Sequence, residues 1–238
     1  MHEPTIGIPG GDDLASDPRV LQILSAEHND LLSARGLAYN ESFTRGGIFL
    51  TFLSTSFVAL ALLAQAMGFN QDFLVVAAII VVFSFLIGIA TFARIIDIVA
   101  DDLRAMHGMN RIRRGYIEIA PLVAPYLVNS AYDDLESVMS NYNPKASSRS
   151  LRGAVYGLST SLGLIGLIVA LVGGTLASVV TLAAGGTGWL ALATAIVATL
   201  IVLGGLARWA GVEILTGQAG LQVRFPAPGQ GERSQPAR

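Results

Sequence analysis

Four stretches of this chain, residues 48–67, 73–92, 154–180 and 189–207, carry no charged side chain. Each is roughly 19 to 27 residues long, the length a helix needs to cross the ~30 Å hydrocarbon layer of a bilayer. The expected fold class follows: an all-α integral membrane protein with four transmembrane helices. The loops within each pair are short, 68–72 and 181–188, and contain no Lys or Arg. All fifteen basic residues lie in 1–47, 93–153 and 208–238. By the excess of Lys and Arg in cytoplasmic loops, those three segments are expected in the cytosol with both termini, and the two short loops outside. The layout is two hairpins, 48–92 and 154–207, plus a small cytosolic helical domain.

Hydrophobic residues make up 53% of the chain and charged residues 13%, too apolar a balance for an ordinary water-soluble domain of this length. A net charge of −2 gives no sign of nucleic-acid binding. With no cysteine there is no disulfide, thiolate metal ligand or cysteine nucleophile. Because span 1 follows a long polar and amphipathic segment, it reads as a retained span and not a cleaved signal, so the chain is expected to be the mature one. Abundant Ala, Gly and Arg with a single Lys suit a GC-rich bacterial genome, so the expected location is a bacterial inner membrane.

Residues 1–16, rich in Pro, Gly and Asp, are expected to be disordered. Asp17 before Pro18 is a helix start, a capping carboxylate ahead of a residue suited to the first helical turn. A cytosolic amphipathic helix should run from there toward Asn40, within the segment 17–47 that leads to span 1. Its stripe of Leu21, Leu24, Leu31 and Ala38 is interrupted by His28 and Arg35 at roughly heptad spacing. The cytosolic insert 93–153 should hold a continuation of span 2 to about Met106, a break at Gly108, and a short helix over Asn110–Ala120. Pro121 and Pro125 follow, and a third helix should run from Ser130 to Tyr142. From roughly Gln218 the tail, part of the cytosolic segment 208–238, reads as unstructured.

Candidate functional residues are few. Thr51, Ser54, Thr55 and Gln65 on span 1, with Ser84 and Thr91 on span 2, could line a water-filled path, or bond to their own or a neighbouring helix. Gly166, Ala170, Gly174 and Ser178 recur every fourth residue of span 3, a strip for close helix packing; Ala191, Ala195 and Thr199 match it on span 4. Trp189 and Trp209 stand one bilayer thickness apart, as interface anchors do. Arg111, Arg113 and Arg114 are candidates for contact with anionic lipid or a partner. Asp72 reads as the cap of span 2. The absence of Asp, Glu, His, Lys and Arg within the spans argues against coupled transport and voltage sensing, and the absence of paired carboxylates or a metal-ligand set against an enzyme. No cofactor and no metal are expected.

The stretch from Glu27 to Arg45 and the stretch from Gly108 to Pro121, whose sequence is GMNRIRRGYIEIAP, resemble a bacterial family of multi-span membrane proteins that has no established activity. The resemblance covers roughly residues 20–210 and implies the architecture alone. In layout, and not in motif, the first half is similar to SLATT-type membrane effector modules proposed to form pores. The function expected from the sequence is a membrane-embedded scaffold or sensor that presents cytosolic helices to an unidentified cytosolic protein, and self-associates. The alternative is an oligomeric channel lined by the span 1 hydroxyls.

Overall fold

The structure is a computed structural model describing residues 17–142, 157, 159–219 and 221–228. The expected disorder of 1–16, the basic loop with Lys145, Arg149 and Arg152, and residues 154–156 and 158 of span 3 lie outside the described residues. Within them the chain is all-helical. It comprises α1 (Pro18–Met67), α2 (Gln71–Ile119), a 3-10 turn (Pro121–Tyr126), α3 (Leu135–Ser140), α4 (Ser161–Ala183) and α5 (Gly188–Ala219). Four helices, α1, α2, α4 and α5, are long and apolar enough to cross a membrane. Two compact units divide the chain: 1–37 with 101–145 and 218–238, and 38–100 with 146–217.

Helix α1 does not end near Asn40 but continues without interruption through span 1 to Met67. Its inward stripe runs on without a break: Leu24, His28, Leu31, Arg35 and Ala38 are half-buried, and Ser42, Gly46, Phe49, Leu53 and Ser56 are buried. Glu41 on this helix pairs with Arg45 at 2.8 Å and with Arg94 of α2 at 2.9 Å. Those two hydrogen-bonded guanidinium groups hold the Glu41 carboxyl below its ordinary range. Gly46 lies on the stripe against Ile165 of α4, so it serves packing and does not end the helix.

Gly108 likewise does not break α2, which is helical to Ile119. A Cβ there would come within 2.9 Å of the Leu31 side chain, and one at Gly115 within 3.1 Å of Leu24. Both glycines are notches that admit the leucines of α1. The cap of α2 is Asn70, whose Oδ1 accepts from the Phe73 N–H at 2.8 Å; Asp72 sits in the first turn, where a carboxylate favours the helix dipole. Gly68 closes α1 with φ +70°, and Gly185 takes φ +82° after α4, backbone conformations that side chains with a Cβ rarely adopt. The expected helix over 130–142 shrinks to Leu135–Ser140, capped by Asp134 through the Ser137 N–H at 2.9 Å.

In the second unit, Phe49, Phe92, Ile95, Ile96, Ile165, Val169 and Leu206 form the core. Helix α4 is capped by Thr160 and is the most internal of the four, with its glycines in contact with two helices. Gly166 faces the Phe92 ring of α2, and Gly174 faces the Ala195 carbonyl and the Thr199 side chain of α5. The small-residue strip therefore packs inside one chain, divided between two neighbours. Thr181 and Thr194 join α4 to α5 through their hydroxyls at 2.9 Å, and the Gln71 side chain donates to the Ala183 carbonyl at 2.9 Å. Helix α5 extends past the expected end at Ala207 to Ala219.

Candidate functional site

The hydroxyls singled out along the apolar helices are turned onto their own backbones. Thr51 donates to the Gly47 carbonyl, Ser54 to Leu50, Thr55 to Thr51, Ser84 to Ile80 and Thr91 to Ile87, at 2.8–3.0 Å. Thr51, Ser54, Thr55 and Gln65 are exposed on the single chain, Thr91 is half-buried and Ser84 is buried. Ser56 and Ser84 meet Leu53, Val81, Val172 and Thr175 at a crevice of about 10 Å³, room for at most one water molecule. Trp189 and Trp209 are both exposed, and the Trp209 ring also lies 6.1 Å from that of Phe92. Among the described residues of this region, no cluster of His, Asp or Glu side chains gathers for chemistry.

The first unit does gather them. Its frame is the pairing of Leu31 with Gly108 and Leu24 with Gly115, and the two polar stripe residues fill the remaining positions. Arg35 donates to Asp102 of α2 through Nε at 2.6 Å and Nη2 at 3.4 Å. Tyr142 donates its hydroxyl to the same carboxylate, and the Arg35 guanidinium lies 5.8 Å from the centre of its ring. His28 stands 6.2 Å from the ring of Tyr116, whose hydroxyl donates to the Leu24 carbonyl. The His28 Nδ1 is buried without a hydrogen-bond partner among the described residues. Burial, and then the charge of Arg113, push the His28 pKa down.

Arg111, Arg113 and Arg114 do not form one basic patch, because adjacent helical positions face different ways. Arg113 turns inward, 7% exposed, and donates to Asn110 Oδ1 at 2.7 Å. Its burial, and then the charge of Arg35, pull its pKa down. Fully buried Asn110 donates to the Tyr132 carbonyl at 2.7 Å and accepts from Asn141 at 3.1 Å. Arg114 pairs with Glu118 one turn away, at 2.9 Å. Arg111 pairs with Asp133 at 2.7 Å and also donates to the Gln222 carbonyl.

Asp133 is the centre of the arrangement and was not a candidate from the sequence. Its side chain is fully buried. Its oxygens accept from Arg111, from the Phe225 N–H at 2.7 Å and from the Arg224 N–H at 3.0 Å. The Asp133 N–H donates to the Phe225 carbonyl at 3.0 Å, and the Asp133 carbonyl receives His107 Nδ1 at 2.9 Å, which fixes the Nδ1–H form of that ring. Asp134 adds an acceptor for the Ala227 N–H at 3.0 Å while capping α3. Burial pushes the Asp133 carboxyl up; the N–H groups of Arg224 and Phe225 and the Arg111 guanidinium more than offset this, and its pKa ends below the ordinary range.

The tail beyond Gln218 is thus not featureless: residues 221–228 lie against the loop that holds Asp133. Phe225 and Ala227 each precede a proline, which biases both toward extended backbone. That single aromatic amid prolines was the available signal, together with the Asp-Asp pair. Among the described residues no three His, Asp or Glu side chains gather as metal ligands. What the first unit can do is bind main chain. No known protein family matches the chain, and neither does any curated protein or solved structure.

Proposed function

We propose that the protein is a membrane-embedded scaffold or sensor. In this reading α1, α2, α4 and α5 cross a bacterial inner membrane as two hairpins, and the first unit stands in the cytosol to meet a protein partner. One observation carries it. Polar side chains with partners far along the chain concentrate in the first unit, in Arg35–Asp102–Tyr142, Arg113–Asn110–Asn141 and Arg111–Asp133, whereas the hydroxyls of Thr51, Ser54, Thr55, Ser84 and Thr91 in the apolar stretches bond to their own helix backbones. Residues in transmembrane segments that move ions or protons are usually Asp, Glu, His, Lys or Arg, and these stretches have none.

The first unit also carries exposed apolar side chains on its 3-10 turn, Leu122 at 87% and Tyr126 at 82%. Quantitative affinity capture with the full chain, against a full-chain variant with Leu122→Asp and Tyr126→Asp, tests the reading. A partner held by the native surface and lost from the variant supports it; no partner, or the same set from both proteins, overturns it.

One observation favours a second reading, an oligomeric pore: Thr51, Ser54 and Thr55 are exposed on the single chain, where neighbouring subunits would bring them to a shared axis. Replacing Thr51 and Thr55 with Leu would then abolish flux through the protein in liposomes without unfolding it. Native mass in nanodiscs separates the two readings, since a pore of this kind needs about four or more copies around that axis.

A further inference from the structure

Asp133 and Asp134 differ from the other polar residues of the first unit in what they recognise. Their targets are main-chain groups of a segment 91 to 93 residues away: the N–H groups of Arg224, Phe225 and Ala227. The Phe225 carbonyl is taken by the Asp133 N–H and the Gln222 carbonyl by Arg111. Side chains of the segment contribute less, since Gln222, Val223, Arg224, Pro226 and Pro228 are exposed and only Leu221, Phe225 and Ala227 are half-buried. A carboxylate buried to this degree is costly unless ionic and hydrogen-bonding partners satisfy it, and here a peptide backbone supplies several of them.

The proline pattern fits that role. Arg224, Phe225 and Ala227 give their N–H groups to the carboxylates, while Pro226 and Pro228 take the positions that follow Phe225 and Ala227. Proline has no N–H to leave unpaired there, and its fixed φ lowers the entropy lost when the segment is ordered. The loop therefore reads a main chain with apolar residues and prolines in alternation, and main-chain hydrogen bonds more than side chains carry the recognition.

We propose that Asp133, Asp134 and Arg111 form a peptide clamp, closed in this structure by the chain's own 221–228 segment acting as a replaceable occupant. The ligand that displaces it is a peptide with the alternating pattern of Phe225-Pro226-Ala227-Pro228. This names the chemistry of the partner in the reading above and rests on that reading only for where the displacing peptide comes from. A tethered occupant competes at an effective concentration of about millimolar, so the clamp stays shut until a partner delivers a tighter or multivalent peptide.

Phe225→Pro in the full chain removes one clamped N–H and frees the occupant, leaving Asp133, Asp134 and Arg111 in place. The probe is a fluorescent synthetic peptide with the sequence of residues 221–228, followed by anisotropy against the protein in nanodiscs. The variant should bind it at least about tenfold more tightly than the native chain. Adding Asp133→Asn to the variant, or proline at the Phe225 position of the peptide, should abolish binding. No binding to the variant, equal binding to the native chain, or binding that survives both controls overturns the clamp.

If Phe225→Pro unfolds the unit, hydrogen exchange on the native full chain decides. Amides of Arg224, Phe225 and Ala227 that exchange at least about tenfold more slowly than in the free peptide, and faster when excess peptide is added, support the clamp. Fast exchange at all three, or slow exchange that the peptide leaves unchanged, overturns it. Peptide binding without any captured protein would retain the clamp and remove the partner reading.

Discussion

A methyl group added at Gly174 would sit 2.6 Å from the Ala195 carbonyl oxygen, a backbone atom of α5 that moves only with its helix. Gly204 on the same α5 has nothing within 4 Å of the corresponding position. Gly174→Ala should therefore lower stability by about 1–3 kcal/mol through overpacking. Gly204→Ala should be neutral or stabilising by up to about 1 kcal/mol from helix propensity. Thermal unfolding of both variants in the same detergent checks the pair, and equal midpoints would contradict the α4–α5 contact. His28 offers a second test at this scale. Its pKa lies below the ordinary 6.5, so the folded state holds the proton less tightly than the unfolded one. Its contribution to stability is present above pH 6.5 and is withdrawn as pH falls through that value toward the folded pKa. His28→Leu restores the apolar stripe of Leu24 and Leu31 and removes an unpartnered buried nitrogen. The stability gained by that substitution should be larger at pH 5.5 than at pH 7.5, and unfolding curves at the two values measure it. A gain independent of pH would show that the ring does not titrate in the folded protein as its surroundings require.

At the scale of elements, the long helices test what their glycines do. Gly47 has open space around it and lies within continuous α1, so Gly47→Ala should stabilise by about 0.5–1 kcal/mol. If the chain instead ended a helix near Asn40 and began another at Ile48, the same change would be neutral or unfavourable; unfolding midpoints distinguish the cases. The apolar stretches were legible in the sequence because length and absence of charge are local properties. The continuity of α1 and α2 was not, because Gly46, Gly108 and Gly115 carry the same signature whether they end a helix or admit a side chain. Only the positions of Ile165, Leu31 and Leu24 decide, and those are tertiary. The reach of the predicted third helix failed for a related reason: Asp133, which would stand in the first turn of a helix starting at Ser130, gives its carboxylate to the tail, and capping falls to Asp134. Main-chain recognition of the segment 221–228 leaves almost no side-chain pattern to read, so a tail of Gly, Gln and Pro concealed it.

For the molecule as a whole, the charge distribution makes an argument about orientation that cysteine chemistry can test directly, because the chain has no native cysteine to remove. The short connections 68–72 and 181–188 lack Lys and Arg, and every basic residue lies beyond the apolar stretches on the other side of them in sequence. Holding that set of charges in the cytosol places Gly188 outside and Asn129 inside. Both positions are exposed, and a Cβ at Gly188 meets nothing within 4 Å, so Gly188→Cys and Asn129→Cys should fold normally and remain accessible. A membrane-impermeant maleimide applied to intact spheroplasts should label Gly188→Cys, and should label Asn129→Cys only after permeabilisation. The reversed pattern would invert the orientation and put the Asp133 loop on the wrong face to meet a cytosolic peptide. Labelling of both before permeabilisation would mean that residues 73–92 do not separate Asn129 from the outside, and the four-span reading would fall with it. The pair of labels therefore bears on the membrane, on the side that the first unit faces and on the compartment from which a ligand of its clamp can come.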